Sequence, residues 1–234
     1  MENKLIIALH GFLGLPTDWE KWRIENSIRK NFIALNLWEH PVLNSSLSLK
    51  NWTNLFLEMV KKKINSGFEI ELWGYSMGGR LALTSFFEAP ELFSKMKIIS
   101  SNPGLESSSE REERFKNDQK WATRFLTEHW DKLIQDWNLQ TNLLESHGNH
   151  TIVDNSVHRL EKDFNRQRLA LALENWSLVK QPNFWPKIEK IKIPIDWHAG
   201  SCDEKFSSIA TRVGSLNPNI SVQIHPNRGH RLII

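Results

Sequence analysis

The feature that most constrains this chain of 234 residues is a serine between two glycines, in the run Gly74-Tyr75-Ser76-Met77-Gly78. An apolar run, Ile70–Trp73, precedes it, and a helical pattern follows from Gly79. A serine on so sharp a strand-to-helix turn is strained, and side chains at the flanking glycine positions would collide with the strand and the helix. The helix N-terminus behind it favours developing negative charge. The context predicts a catalytic serine at the end of a strand.

Short apolar runs recur along the chain, and each ends at turn residues. Stretches of helical length, 47–63 and 78–87, lie between them, which indicates an α/β protein with helices on both faces of the sheet. Together with the serine turn, this predicts the α/β-hydrolase fold, with a mostly parallel sheet of about six strands. The six runs are Lys4–Leu9, Phe32–Leu37, Glu69–Gly74, Met96–Ser101, Ile193–His198 and Ile220–His225.

The alternation of strands and helices stops between about residues 105 and 190. This part contains no predicted strand and three predicted helical stretches, 109–126, 130–144 and 155–179. Helices inserted over the mouth of an α/β sheet usually cover a substrate. We therefore expect a core formed by residues 1–104 and 189–234, and a helical lid formed by residues 105–188.

The partners of the serine should follow it in the order acid, then histidine, each after a late strand. Asp203 follows the fifth predicted strand and His230 follows the last one. The competing residues, Asp196 and His225, lie within the predicted strands, so their side chains would point into a sheet face. The order predicts a Ser76–His230–Asp203 triad.

The turn after the first strand reads His10-Gly11-Phe12. In this fold, that turn supplies one backbone N–H of the oxyanion hole, and the residue after the serine supplies the other. These positions are Phe12 and Met77.

Composition narrows the possible partners. The formal net charge of +3 indicates no strong attraction to nucleic acid, and a single cysteine, Cys202, excludes an intrachain disulfide. No signal peptide is evident and no apolar run approaches the roughly 20 residues that span a bilayer, so we expect a cytoplasmic protein without a membrane partner. His147, His150 and His158 have no acidic pattern around them, so we expect no metal site. The sequence leaves open a monomer or a homo-oligomer.

Motifs beyond the serine turn resemble the 2-succinyl-6-hydroxy-2,4-cyclohexadiene-1-carboxylate synthases, lyases of menaquinone and phylloquinone biosynthesis. The similarity runs from Leu5 to His230 and is most specific in the predicted lid. The motifs that carry it are Gly74-Tyr-Ser-Met-Gly-Gly-Arg80, Asn102-Pro-Gly-Leu105, Arg111-Glu-Glu-Arg114, Trp121-Ala-Thr-Arg-Phe-Leu126, Trp137, Arg159-Leu160, Leu169-Ala170, Gln181-Pro182 and Asp203-Glu-Lys-Phe206.

The resemblance implies elimination of pyruvate from a small polycarboxylate, with the triad serine as the base and without a metal or organic cofactor. Arginine suits such a substrate because its planar guanidinium pairs bidentately with a carboxylate. Arg80 lies one helical turn after Ser76 and so on the same face. The substrate-binding residues that the resemblance implies are Tyr75, Arg80, Arg114, Trp121, Trp137, Arg159, Lys205 and Phe206.

Two other functions are compatible with the same triad. A carboxylesterase or thioesterase would use Ser76 as a nucleophile and form an acyl-enzyme. A non-enzymatic binding protein could keep the same pocket. The chain also departs from the family pattern at Asn36-Leu-Trp-Glu-His40-Pro and at Trp176-Ser-Leu-Val-Lys180, and only four residues follow His230, where the family usually has a helix.

Overall fold

A computed structural model describes residues 3–28, 31–39, 48–140 and 159–234, and the backbone of two short strands between residues 140 and 159. Six strands form one sheet in the order β2-β1-β3-β4-β7-β8, and every neighbouring pair is parallel. The predicted fold class is thus confirmed. The strands are β1 (Lys4–Leu9), β2 (Phe32–Leu35), β3 (Glu69–Tyr75), β4 (Lys95–Ile99), β7 (Ile195–Gly200) and β8 (Ile220–His225).

The strand order reverses at β1. The chain goes outward from β1 to β2 and then returns to form β3 on the other side of β1, where Leu9 pairs with Gly74. In parallel sheets, such a switch point leaves a crevice beyond the carboxyl ends of the two central strands, and ligands bind there. The turns after β1 and β3 meet at this crevice.

Helices cover both faces of the sheet. On one face, α2 and α3 pack against the central strands and α7 packs against β7 and β8. On the other face, α1 and the last residues of the chain form a second core, in which Leu232 and Ile233 are buried with Trp19 and Trp22. The helices are α1 (Trp19–Glu25), α2 (Leu49–Asn65), α3 (Met77–Glu88), α4 (Ser108–Thr127), α5 (Trp130–Asn138), α6 (Arg166–Asn175) and α7 (Glu204–Leu216).

Local signals explain where several helices begin. The Ser48 side chain accepts the Asn51 N–H at the start of α2, and Ser107 and Glu110 form a reciprocal capping box at the start of α4. Such caps satisfy amide groups that have no partner within the helix. Helix α4 therefore begins at Ser108, and eight residues separate it from the end of β4 at Ile99.

Of the three helical stretches predicted between β4 and β7, the first, 109–126, agrees with α4 (Ser108–Thr127), and the other two were too long. In the stretch expected over 155–179, α6 covers Arg166–Asn175 and begins there because Asn165 caps it by accepting the Arg168 N–H; residues 155–158 lie outside the described part. The stretch expected over 130–144 ends as helix α5 at Asn138; residues 141–144 lie outside the described part.

The expectation that this segment contains no strand was also wrong. Two strands of two residues each, β5 (Glu145–Ser146) and β6 (Ile152–Val153), pair antiparallel. So short a pair leaves no periodic pattern in the sequence. Within the described residues, no helix is long and apolar enough to cross a membrane.

Candidate functional site

Ser76 occupies a strained turn between β3 and α3. Its φ of 51° and ψ of −112° are unusual for a residue with a side chain. The flanking glycines permit this turn because a Cβ on Gly74 would lie 2.5 Å from the Gly78 carbonyl oxygen, and one on Gly78 would lie 2.2 Å from that of Leu9. The tight packing of β1, β3 and α3 thus depends on the two glycines.

Ser76, His230 and Asp203 form a continuous hydrogen-bonded chain. His230 Nε2 lies 3.0 Å from Ser76 Oγ, and His230 Nδ1 lies 2.8 Å from Asp203 Oδ2. Both His230 and Asp203 are buried. The second Asp203 oxygen accepts the Phe206 N–H at the start of α7, which holds the carboxylate in place. The arrangement allows the imidazole to take a proton from the serine.

The competing acid and histidine lie away from this chain of contacts. Asp196 pairs with Lys95 at 2.7 Å, on a face of the sheet. His225 Nε2 lies 3.0 Å from His198 Nδ1, within a pair of stacked imidazole rings. Strand-internal side chains thus contact neighbours on the sheet, as the alternation of side chains along a strand requires.

A buried histidine organises the turn after β1. The Leu37 N–H donates to His10 Nε2 at 3.0 Å, so His10 Nδ1 carries the proton and donates to the Gly11 carbonyl at 2.8 Å. Burial, with a smaller effect of the Arg159 charge, lowers the pKa of His10 to about 4 against the opposing effect of the hydrogen bond to Gly11. A neutral His10 therefore connects this turn to the segment that follows β2.

His10 makes the protein sensitive to acid. The unfolded chain binds a proton at His10 near pH 6.5 and the folded chain only near pH 4, so the His10 contribution to stability is constant above pH 6.5 and falls as the pH drops through this window. We expect the His10 contribution to cost about 2 kcal/mol at pH 5. Urea denaturation at pH 7.5 and pH 5 measures this loss. Between the two pH values, the His10→Asn variant should lose about 2 kcal/mol less stability than the wild type. An equal loss of stability in both proteins would contradict the assignment.

The two predicted oxyanion-hole residues lie on facing turns. Phe12 follows β1, and Met77 is the first residue of α3, where an amide has no acceptor within the helix. Both line a cavity of about 780 Å³ that also contains Ser76 and His230. The cavity opens at the carboxyl ends of the strands, at the switch point of the sheet.

Aromatic side chains from the inserted segment form one wall of this cavity. The Trp137 ring lies 4.8 Å from both the Phe12 ring and the Trp121 ring, measured between centroids, and 5.6 Å from the Phe125 ring. Phe206 and Tyr75 flank the His230 ring at 4.7 and 5.6 Å. Burial raises the pKa of the Tyr75 phenol above its usual range.

The cavity carries an excess of positive charge. Six cationic side chains and three acidic ones lie among the described residues that line it. The field at Ser76 therefore favours an anionic ligand. The cations are Arg80, Arg114, Lys120, Arg159, Lys205 and Arg231, and the acids are Glu110, Glu113 and Asp118.

Arg80 and Arg114 lie together on one side. Arg80 donates to the Trp176 carbonyl at 2.6 Å, and burial lowers its pKa to about 9, with a smaller effect of the Arg114 charge. Arg114 is held by the buried Asp118, which also accepts the Ser177 hydroxyl. In the segment that departs from the family pattern, the backbone carbonyl of Trp176 thus contacts Arg80, and the Ser177 side chain contacts the partner of Arg114.

The other predicted cations flank this pair. Lys205 lies in the first turn of α7, and burial, with a smaller effect of the Arg114 charge, lowers its pKa. Arg159 forms a buried ion pair with Asp18 at 2.7 Å. All eight predicted substrate-binding residues line the cavity.

Several residues in or next to the site were not predicted, and three of them have informative contacts. Asp118 lies four residues after Arg114, a spacing that could have shown the pair. The Trp38 indole N–H donates to the Gly14 carbonyl at 2.6 Å, and the Trp38 ring packs on Phe164. The motif after β2 that departs from the family pattern therefore connects the β1 turn to the inserted segment. His40, in the same motif, lies outside the described residues. Arg231 follows His230, and its burial against the cavity could not be seen in the sequence.

The described part of the chain contains no group of three His, Cys, Asp or Glu side chains that could hold a metal ion. His147, His150 and His158 lie outside it. The charged groups that face the cavity are mainly guanidinium and ammonium groups, which bind anions.

Comparison with known proteins identifies relatives along nearly the whole chain, although no protein-family model matches. A candidate 2-succinyl-6-hydroxy-2,4-cyclohexadiene-1-carboxylate synthase of Haemophilus influenzae is 32% identical over 213 residues, which are 88% of this chain and 83% of the relative. A candidate synthase of Bacillus subtilis is 26% identical over 97% of this chain and 84% of the length of that relative. The Escherichia coli O8 synthase is 24% identical over 96% of this chain and 86% of its own.

Solved structures share the fold. MenH from S. aureus superposes with a TM-score of 0.85 at 23% identity, over 98% of this chain and 87% of its own. A thermophilic esterase from Thermogutta terrifontis superposes with a TM-score of 0.72 at 16% identity, over 98% of this chain and 84% of its own. Sequence and fold agree: the chain belongs to the 2-succinyl-6-hydroxy-2,4-cyclohexadiene-1-carboxylate synthase family, the menaquinone-pathway lyases of the α/β-hydrolase superfamily.

Proposed function

We propose that this chain eliminates pyruvate from a cyclohexene carboxylate that carries a succinyl group and an enolpyruvyl ether. The product is 2-succinyl-6-hydroxy-2,4-cyclohexadiene-1-carboxylate, the compound in the family name. The observation that carries the proposal is the hydrogen-bonded chain of Ser76, His230 and Asp203 at the floor of a cavity rich in arginine. A base and a carboxylate-binding cavity are what this elimination requires.

Ser76 is the base in this mechanism. His230 takes the hydroxyl proton as Ser76 Oγ takes a proton from the substrate ring. Asp203 accepts the hydrogen bond from Nδ1, which keeps Nε2 free to receive the proton and stabilises the imidazolium. The mechanism requires no covalent bond between Ser76 and the substrate.

The most acidic ring C–H is the one next to the succinyl carbonyl. When that proton leaves, the electron pair moves towards the carbonyl oxygen, and the Phe12 and Met77 N–H groups are suited to bind the resulting enolate. The electrons then return to form the second ring double bond, and the C–O bond to the enolpyruvyl group breaks. The departing enolate becomes pyruvate on protonation.

Residues 105–188 act as a lid in this proposal. Trp121 and Trp137 contact each other over the cavity, next to the Phe12 ring. Such a wall excludes water from the ring carbanion and strengthens the field of the nearby cations. Arg114 from the lid and Arg80 from the core would hold carboxylates of the same substrate and so orient its ring against Ser76.

An assay of pyruvate release tests the proposal directly. We expect the purified protein to release pyruvate from the enolpyruvyl substrate over many turnovers, in equal amounts with the cyclohexadiene product. A neutral p-nitrophenyl ester serves as the comparison substrate, because a hydrolase would form an acyl-Ser76 from it. Ester hydrolysis without pyruvate release would identify the chain as a hydrolase.

The arginines give a prediction that separates the lyase from an esterase. A hydrogen bond to a charged group is worth roughly 1.5–3 kcal/mol, so Arg80→Ala and Arg114→Ala should each lower kcat/KM for pyruvate release roughly ten- to a hundredfold. The matched control is Lys116→Ala, which removes an exposed cation of α4 that pairs with Glu112. If both arginine variants kept the wild-type kcat/KM, the proposed polycarboxylate substrate would be wrong.

A further inference from the structure

Asp118 is an acidic side chain in a cavity suited to anions, and the mechanism above assigns it no role. It lies in α4, one helical turn after Arg114, and it is buried. Both of its oxygens accept the Arg114 Nε–H at 2.8 Å. A carboxylate at this place repels an anionic substrate, and burying it is costly. Its presence therefore calls for an explanation.

A second segment of the chain fixes the Asp118 carboxylate. The Ser177 hydroxyl donates to Asp118 Oδ2 at 2.6 Å, and Ser177 Oγ accepts the Val179 N–H at 3.0 Å. Ser177 is itself buried, so these bonds lie in surroundings of low dielectric constant, which strengthens them. The position of the carboxylate thus depends on the segment 177–179 as well as on α4.

The contact with Asp118 engages one edge of the Arg114 guanidinium. Arg114 lines the cavity with its side chain 32% exposed, and within the described residues neither Nη1 nor Nη2 has a hydrogen-bond acceptor. A guanidinium is planar and rigid, so a partner at Nε restricts the plane in which the two Nη atoms lie. These two atoms can bind a carboxylate bidentately. Asp118 thus limits the directions from which Arg114 can receive an anion.

Asp118 also offsets a concentration of positive charge. The charge of Arg114 acts on both Arg80 and Lys205, so three cations lie near one another. Burial and the Arg114 charge lower the pKa of Arg80, and the Asp118 charge opposes them. The buried carboxylate therefore reduces the repulsion within this group of cations.

We propose that Asp118 is a positioning residue of Arg114, which holds the guanidinium so that Nη1 and Nη2 meet one carboxylate of the substrate at a fixed angle. The inference rests on the proposed function, because it assumes that Arg114 binds a carboxylate. The negative charge of Asp118 weakens the attraction between Arg114 and the anion, but the fixed angle orients the ring against Ser76. Such an arrangement favours kcat over tight binding of the substrate.

The test separates orientation from binding by measuring kcat and KM for pyruvate release in single and double variants. Asp118→Asn keeps the size of the side chain and one oxygen for Arg114 Nε, but removes the charge. It is combined with Arg114→Ala in a double-mutant cycle. The matched control is Glu112→Gln, which makes the same change from carboxylate to amide at an exposed residue of α4 that pairs with Lys116. The melting temperature of every variant is followed in parallel.

We expect Asp118→Asn to lower kcat roughly ten- to a hundredfold, because Arg114 loses its fixed angle. KM should stay the same or fall, because the charge of Arg114 is no longer offset. Added to Arg114→Ala, the same change should cause no further loss of kcat/KM, since no guanidinium is left to position and a carboxylate that repels the substrate is removed. Glu112→Gln should leave both constants unchanged.

Three results would overturn the inference. One is the wild-type kcat in Asp118→Asn. Another is a rise in KM with little change in kcat, which a merely loosened lid would produce. The third is an equal loss of kcat/KM when Asp118→Asn is added to the wild type and to Arg114→Ala, because the two residues would then act independently.

Ser177→Ala takes the place of Asp118→Asn in the same cycle if that variant does not fold. It removes one hydrogen bond of the carboxylate and should lower kcat roughly two- to tenfold without raising KM. An equal loss in the wild type and in Arg114→Ala would again overturn the inference. Absence of pyruvate release by the wild type would instead refute the proposed function, and this inference with it.

Discussion

Ser76→Ala should lower the rate of pyruvate release by roughly 10³- to 10⁴-fold, because the variant lacks the atom that receives the ring proton. In the wild type, Ser76 Oγ lies 3.0 Å from His230 Nε2. Among the contacts of the described residues, no other hydroxyl group contacts this nitrogen. Residual activity should remain, since the cationic cavity and the turns at Phe12 and Met77 still bind and polarise the substrate. Steady-state pyruvate release, measured at saturating substrate, reports this loss.

The matched control for this variant is Ser85→Ala. Ser85 lies in α3, the helix that begins directly after Ser76. It is buried, and its hydroxyl donates to the Leu81 carbonyl. We expect wild-type pyruvate release from it and a modest change in stability. If Ser76→Ala retained more than about a tenth of the wild-type rate, another group would have to be the base.

Gly78→Ala should destabilise the fold by about 3 kcal/mol or more. A Cβ at this position would lie 2.2 Å from the Leu9 carbonyl oxygen and 2.5 Å from that of His10, and both are backbone atoms that cannot move aside singly. Strand β1 and helix α3 would have to separate. Because Phe12 follows β1 and Met77 begins α3, pyruvate release should fall together with stability. Chemical denaturation measures the first effect and the pyruvate assay the second.

Gly214→Ala is the control for the added methyl group. Its Cβ would meet a Val222 methyl group at 2.5 Å, but that is the end of a side chain, and the next atoms lie 3.6 Å or more away. The gain in helix propensity, about 1 kcal/mol, offsets part of this contact. An equal loss of stability in both variants would show that the close approach of β1 and α3 is not the cause.

The fold and the relative positions of Ser76, Asp203 and His230 could be predicted because both follow from strand order. The carboxyl ends of parallel strands meet at one edge, so residues just after three strands come together however far apart they lie in the chain. The serine turn adds a local steric signal. No comparable rule applies to the segment between β4 and β7, where helices begin at side-chain caps such as Asn165.

The contacts of the site that escaped prediction join distant segments of the chain. Arg159 pairs with Asp18 across 141 positions of the chain, and Arg231 contacts Asn138 across 93. The sequence shows such residues only as charges, which are most often exposed to solvent. Trp38 is similar: its indole N–H reaches the Gly14 carbonyl only once β1 and β2 are adjacent.

The measurement that most directly tests Ser76 as a base is the intact mass of the enzyme, quenched within milliseconds during turnover of the enolpyruvyl substrate. A proton transfer leaves Ser76 unmodified, so we predict the mass of the free enzyme at every time point while pyruvate accumulates from the first turnover. The reaction should be quenched at saturating substrate concentration, where any covalent intermediate would be most populated. A mass increase equal to part of the substrate, lost in Ser76→Ala, would contradict the account and show that Ser76 is a nucleophile.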